Sequence, residues 1–171
     1  MMDQNKVGNL EGKKALVIGI GKMNRLTMKY LEEEKLDTIY VSNRSHGKVI
    51  ELEKVDDPVF SSGAMGKGVA IEPVDNKVYA PFDGVVEFIA DTKHAIGLLS
   101  EDGVEVLIHV GMDTVKMQGR GFNVKTSVNS KIKAGDLLLE FDRNAIEKEG
   151  YSLITPVVIT NADNYEDNVL C

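Results

Sequence analysis

The stretch Thr92–Val115, TKHAIGLLSEDGVEVLIHVGMDTV, places two of the chain's three histidines fifteen residues apart within one predicted β-hairpin. Two short runs rich in Val, Ile and Leu flank the segment SEDG at 100–103, and Asp-Gly between such runs is a strong hairpin signal. The histidines, His94 and His109, stand at the outer ends of the two runs. The pattern therefore predicts a strand pair that brings both imidazoles together.

The face on which each imidazole lies depends on the turn. A two-residue loop at Asp102-Gly103 makes the histidines diagonal neighbours with backbones roughly 7–8 Å apart, and a four-residue loop sets them opposite each other. Only an odd-length loop or a bulge sends them to different faces. We expect a shared face, where two imidazoles can hold a phosphoryl group or a metal ion. The alternative is two unrelated histidines, one in the core and one on the surface.

The amino-acid composition indicates the cellular compartment and the kind of partner that the protein can bind. A net charge of −7 argues against nucleic acid as a main partner, because binding a polyanion relies on clustered Lys and Arg. The single cysteine, Cys171, leaves no internal disulfide and favours a reducing compartment. The N-terminus has no apolar core of signal-peptide length, and no run approaches the roughly 18 residues that span a bilayer. A cytoplasmic protein is expected.

From residue 46 onward the sequence reads as short strands separated by turns at intervals of roughly 8–12 residues, which predicts a mainly β fold, a sandwich or a barrel. One short helix is expected at 144–149. The predicted strands, besides the two hairpin runs, are 49–52, 68–72, 78–80, 85–89, 131–132, 137–141 and 156–160.

This part of the chain resembles a known family over about residues 46–165. It contains, in order, the blocks GKVIELEKVDDPVFSSGAMGKGVAIEP, VYAPFDGVV, TKHAIGL, GVEVLIHVGMDTV, GRGF, AGDLLLEFD and TPVVITN, which resemble the glucose-type enzyme IIA of the bacterial sugar phosphotransferase system. The resemblance implies a flattened β-sandwich that takes a phosphoryl group from the histidine phosphocarrier protein. It then passes the group to the IIB domain of a sugar permease. No cofactor is required, and the membrane is met only indirectly, through the permease.

The resemblance also implies roles for single residues. His109 is the phosphorylated histidine, His94 assists it, and Thr92 hydrogen-bonds His94. A neutral imidazole suits this chemistry because it is a good nucleophile near pH 7. Asp57 and Asp113 lie beside the site and face the basic donor, although an aspartate can also serve simply as a turn or capping residue. The apolar rim of the site is formed by Val59, Phe60 and Met65.

The front of the chain reads as a single β-α-β unit. The apolar run at 14–18 is typical of a buried strand, residues 23–35 carry a helical apolar stripe, and 37–44 reads as a second strand. This unit resembles the opening of the NADP-binding domain of glutamyl-tRNA reductase and shikimate dehydrogenase. The shared order is GKK, a strand, a glycine turn, a helix and a second strand that ends in Asn-Arg-Ser. This second resemblance covers about residues 11–45.

A working nucleotide site is not expected in this unit. Gly19 and Gly21 fit the first two positions of the fingerprint G-x-G-x-x-G, but Asn24 occupies the third. Arg44 follows the second strand where an acidic residue would bind NAD, so the pattern suits the 2′-phosphate of NADP. A lone β-α-β unit, however, cannot bury both faces of its two parallel strands.

The sequence therefore predicts two parts, a Rossmann-like β-α-β fragment at 1–45 and an enzyme IIA-like domain at 46–171. Two families joined in one chain indicate a chimera, either engineered or produced by gene rearrangement. The alternative function is a scaffold or binding protein with a zinc site at His94 and His109 or residual NADP binding. His109 and Asp113 have the H-x-x-x-D spacing of lysostaphin-type zinc peptidases, but the chain lacks their His-x-His pair, so no metal site is expected beyond, at most, adventitious zinc at His94 and His109.

Overall fold

The structure is a computed structural model that describes residues 47–101 and 103–164. The predicted β-α-β unit, with Gly19, Gly21 and Arg44, lies outside the described residues. None of the helices within them is long and apolar enough to cross a membrane. The described chain forms ten strands: β1 (Gly47–Glu51), β2 (Lys67–Pro73), β3 (Lys77–Tyr79), β4 (Gly84–Ile89), β5 (Ala95–Ser100), β6 (Glu105–His109), β7 (Phe122–Val124), β8 (Lys131–Ile132), β9 (Leu137–Phe141) and β10 (Thr155–Ile159).

The strands form two antiparallel sheets. One has seven strands in the order β1-β2-β10-β6-β5-β4-β8, and the other has three in the order β3-β9-β7. Over the described residues the sheets do not close into a barrel, so the predicted mainly β fold is confirmed as a sandwich. The strands predicted from residue 46 onward are all present, with bounds that agree within two residues.

The main core lies between the two sheets. Val78 and Leu139 of the smaller sheet pack in one cluster with Ile96 and Ile108 of the larger one. Strand β6 alternates as a half-buried strand should, with Ile108 turned to this core and His109 turned outward. The larger sheet therefore presents His109 on the face that points away from its partner sheet.

Part of that outer face is covered by the segment at 52–61, which forms a second apolar cluster on it. Strand β10 consequently has apolar neighbours on both faces and is buried along its whole length. The second cluster contains Leu52, Val55, Phe60, Ala70, Met112 and Val158.

The described residues contain two α-helices, α1 (Pro58–Ser61) and α2 (Arg143–Lys148). Helix α2 matches the predicted helix within one residue, whereas α1 and the strand β7 were not predicted. The signal for α1 was in the sequence: Asp57 caps the helix by accepting from the Val59 amide at 2.8 Å, and proline follows at the first helical position. Short 3-10 helices also occur at Leu52–Lys54, Thr114–Met117 and Ala162–Asn164.

The register of the β5–β6 hairpin differs from both predicted versions. Ala95 pairs with His109, and the Ser100 amide donates to the Val104 carbonyl at 2.9 Å, so three residues, 101–103, connect the strands. With this odd-length connection Ala95, and not His94, shares a face with His109. The predicted register is therefore wrong, and strand alternation does not explain how the two imidazoles meet.

The close approach of two strands at Gly68 gives a stability prediction. A Cβ at Gly68 would collide with the backbone of β10 at Val157 and Val158, whereas a Cβ at Gly97 would lie 3.1 Å from the Phe88 Cβ on the outer surface. We expect Gly68→Ala to lower the free energy of unfolding by about 3 kcal/mol and Gly97→Ala by less than about 1 kcal/mol. Urea unfolding measures both, and equal losses would contradict the rigid backbone contact.

Candidate functional site

His109 ends β6 and is held by the loop that follows it. Its Nδ1 lies 2.8 Å from the carbonyl oxygen of Gly111. Since a carbonyl oxygen only accepts, Nδ1 must carry the proton, and Nε2 is left with the free lone pair. The loop is fixed in turn by Thr114, whose hydroxyl donates to the Val110 carbonyl at 2.6 Å. The structure thus selects a single tautomer of His109.

Helix α1 brings Phe60 onto the same imidazole. The two ring centroids are 5.1 Å apart in an edge-to-face arrangement. Phe60 is only 5% exposed and belongs to the outer apolar cluster, so it borders His109 from the buried side. Its effect is to shield one side of His109 from water.

His94 reaches His109 from a loop and not from a strand. It is the last residue of the connection 91–94 between β4 and β5, which is closed by the Ala90 amide donating to the Ala95 carbonyl at 3.0 Å. The centroids of the two imidazoles are 4.5 Å apart with an interplanar angle of 81°. The predicted pairing of His94 with His109 is therefore present, although it arises from the loop.

Thr92 orients the second imidazole, as the resemblance implied. Its Oγ1 lies 2.6 Å from Nδ1 of His94. When the hydroxyl donates this bond, Nδ1 of His94 is the acceptor and Nε2 carries the proton. His94 then offers an N–H group, while His109 offers a lone pair.

Burial keeps both imidazoles neutral at pH 7. His94 is 7% exposed, and desolvation together with the neighbouring His109 lowers its pKa from 6.5 to about 4. Desolvation also lowers the pKa of His109, although the Gly111 carbonyl and the charge of Asp57 act in the opposite direction. The neutral forms are the ones that nucleophilic attack requires.

The two predicted acidic residues differ in their surroundings. Asp57 caps α1 and also acts electrostatically on His109, so its capping role and its place beside the site coexist. Asp113 adopts a left-handed conformation with φ of 61° and makes no side-chain cap bond. Its carboxylate instead forms an exposed ion pair of 2.9 Å with Lys116.

Two of the three residues that the resemblance places on the apolar rim of the site are exposed. Val59 and Met65 are 51% and 36% exposed. Sequence reasoning missed Phe88, which is 50% exposed and pairs with Gly97, itself opposite the outward-facing Leu107 of β6. The register shift between Val86 and Phe88 breaks the alternation of β4, so a period-two pattern could not place this ring.

No group of three or more His, Cys, Asp or Glu side chains in the described ranges could hold a metal ion. His94 and His109 supply two nitrogen atoms, and a zinc ion bridging them would need further ligands from another molecule or from solvent.

The fold and the site define an antiparallel β-sandwich that carries two interacting histidines. The family model described as phosphoenolpyruvate-dependent sugar phosphotransferase system, EIIA 1, matches residues 39–165. The chain belongs to this family. A second model, described as shikimate / quinate 5-dehydrogenase, matches residues 2–61, in agreement with the resemblance of the front segment. The two matches overlap at 39–61.

Similar proteins cover part of the chain. The β-glucoside-specific EIIBCA component of Dickeya chrysanthemi is 56% identical over 51% of this chain and 14% of its own length. The glucose-specific EIICBA component of Staphylococcus carnosus is 47% identical over 53% of the chain and 14% of its own length. The glucose-specific EIIA component of Bacillus cereus is 48% identical over 51% of the chain and 53% of its own length. The chain thus spans about half, or less, of the length of these relatives.

Among solved structures, the glucose permease IIA from Mycoplasma capricolum is similar with a TM-score of 0.65. It is 36% identical, and the match covers 68% of this chain and 75% of that one. The similarity therefore extends over most of the described sandwich.

The lowered pKa of His94 predicts a pH dependence of stability. As pH falls from 6.5 towards 4, the unfolded chain takes up a proton at this imidazole and the folded chain does not. The free energy of unfolding should therefore fall by about 1.4 kcal/mol per pH unit from this group. His94→Gln should remove that contribution, which urea unfolding at pH 7, 6 and 5 measures. Equal pH slopes for the two proteins would contradict a buried neutral His94.

Proposed function

We propose that the chain is a phosphocarrier that accepts a phosphoryl group on Nε2 of His109 from the histidine phosphocarrier protein and passes it to a IIB domain during sugar uptake. The observation that carries this proposal is the bond from Nδ1 of His109 to the Gly111 carbonyl, because it leaves the Nε2 lone pair free. Membership of the EIIA 1 family supports the same reaction. We expect the transfer to take place in the cytoplasm.

The transfer step needs no general base. The Nε2 lone pair forms a bond to phosphorus while the bond from phosphorus to the donor's imidazole breaks, and that electron pair returns to the donor's nitrogen. The attacking nitrogen carries no proton, and the other proton stays on Nδ1, which continues to donate to the Gly111 carbonyl. The charge on His109 therefore changes without any proton leaving the site.

His94 stabilises the phosphoryl group in this scheme. With Thr92 donating to its Nδ1, the Nε2–H of His94 is available to a phosphoryl oxygen beside His109. Donors aimed at developing charge in a dry site contribute strongly to transfer. The buried position of His94 keeps this imidazole fixed and neutral, with its proton on Nε2.

The family and the surface of the protein support the proposed partners. Two relatives are named as EIIBCA and EIICBA components, so in those proteins an A component is joined to B and C components. The exposed apolar side chains of Val59, Met65 and Phe88 supply docking area, and Asp57 adds negative charge that suits a basic donor. The permease would be the only contact with the membrane.

Phosphorylation with enzyme I, the phosphocarrier protein and phosphoenolpyruvate tests the proposal. The protein should gain one acid-labile phosphoryl group, and His109→Ala should gain none. His94→Ala should still be labelled but should donate to a IIB domain about 100-fold more slowly, because it loses the donor to the phosphoryl oxygens. His46→Ala, at the third histidine in the sequence, serves as the control and should behave as wild type. Undiminished label on His109→Ala would exclude His109 as the acceptor.

The charge of Asp57 can be tested apart from its capping role. Asparagine caps helices as well as aspartate does, so Asp57→Asn keeps α1 while removing the charge. We expect kcat/KM for transfer from the basic donor to fall about five-fold at low salt, and the difference to shrink as salt is added. The matched control is Asp142→Asn, the cap of α2 beyond β9, which should leave transfer unchanged. A five-fold loss in both variants would rule out a local charge effect.

A further inference from the structure

The position of the His94 ring does not agree with the register of the strand that follows it. The hairpin register pairs Ala95 with His109, so a strand continued by one residue would turn the side chain at position 94 to the opposite face. The His94 carbonyl even keeps the pairing, since it accepts from the Val110 amide at 2.8 Å. Nevertheless the ring of His94 lies 4.5 Å from that of His109.

The residue before His94 resolves this conflict. Lys93 has φ of 60°, in the left-handed region that glycine and asparagine adopt most readily. Its amide donates to the Ala90 carbonyl at 2.7 Å, which closes a tight turn over Asp91 and Thr92. His94 follows this turn directly, and β5 begins at the next residue, Ala95.

We propose that Lys93 is a positioning residue, whose left-handed backbone turns His94 out of strand alternation and against His109. The inference rests on the proposed phosphoryl transfer for its consequence in activity. Its structural content does not depend on that reaction. The same turn carries Thr92, so a single backbone conformation sets both the position of the assisting imidazole and the partner of its Nδ1.

Conformation and charge make separable predictions for Lys93. Lys93→Asn favours the left-handed region and should raise the melting temperature by about 3 °C without moving His94. Lys93→Ile disfavours it strongly, because the residue is branched at Cβ. Lys93→Gln removes the charge but keeps an unbranched side chain, so it should behave as wild type.

The decisive readout is the titration of His94 in the unphosphorylated protein, followed by NMR of the imidazole nitrogens. In the wild type, Lys93→Asn and Lys93→Gln, the pKa should stay near 4, whereas in Lys93→Ile it should move towards 6.5 as the ring leaves its buried place beside His109. Transfer to a IIB domain should fall about tenfold in Lys93→Ile, while acceptance on His109 stays within twofold. Combining these results supports a positioning role.

A matched control separates local positioning from general destabilisation. Asn129 also has a left-handed backbone, with φ of 67°, in the connection from β7 to β8. Asn129→Ile should lower the melting temperature as Lys93→Ile does, yet leave the His94 titration and onward transfer unchanged. If Lys93→Ile is too unstable to study, an unmoved melting temperature or a shifted His94 titration in Lys93→Asn overturns the inference.

Other outcomes also decide the question. An unchanged His94 titration in a folded Lys93→Ile overturns the positioning role, and slower transfer in Lys93→Gln with an unchanged titration assigns the effect to charge. Because the titration is read without phosphorylation, a wild-type protein that accepts no phosphoryl group would overturn the proposed function, while the titration alone would still judge the placement of His94.

Discussion

The hydrogen bond between Nδ1 of His109 and the Gly111 carbonyl leaves Nε2 as the nitrogen with a free lone pair, and the surrounding loop holds that bond in place. The Met112 amide donates to the Ser152 carbonyl at 3.0 Å, and the Thr114 hydroxyl closes the loop onto Val110. The carbonyl is therefore anchored from two sides. A histidine on an unsupported loop would exchange tautomers, and a free lone pair would then face the partner only part of the time.

The second constraint is the burial of the larger sheet, which carries His109. This sheet is covered on both faces near β10, whereas His109 at the end of β6 is only half-buried. The core between the sheets fixes the strands from one side, and the cluster around Leu52 and Val158 fixes them from the other. Phe60 belongs to this outer cluster and also touches His109. The packing that stabilises the sheet thus also removes water from the His109 imidazole. The lowered pKa of His109 therefore depends on the same packing as the fold.

The sequence predicted the strands well because turn residues and short apolar runs mark them locally. It predicted the meeting of the histidines for the wrong reason. The prediction assumed that both histidines belong to strands joined by a loop with an even number of residues. In the structure His94 lies in a loop, and the connection 101–103 has three residues. A left-handed lysine carries no sequence signal, since glycine or asparagine would be expected there. The resemblance nevertheless identified the pair, because a family pattern retains residues whose geometry no local rule predicts.

The unequal roles that we propose for the two histidines have an electrostatic basis that neither spacing nor register provides. When Nε2 of a neutral imidazole bonds to phosphorus while Nδ1 keeps its proton, the ring becomes positively charged. Around His109, the Gly111 carbonyl and the Asp57 carboxylate favour such a charge and oppose the desolvation that disfavours it. Around His94 both causes of its pKa shift, burial and the neighbouring His109, disfavour a positive ring. His109 is therefore the better nucleophile, and His94 is better suited to remain a neutral donor.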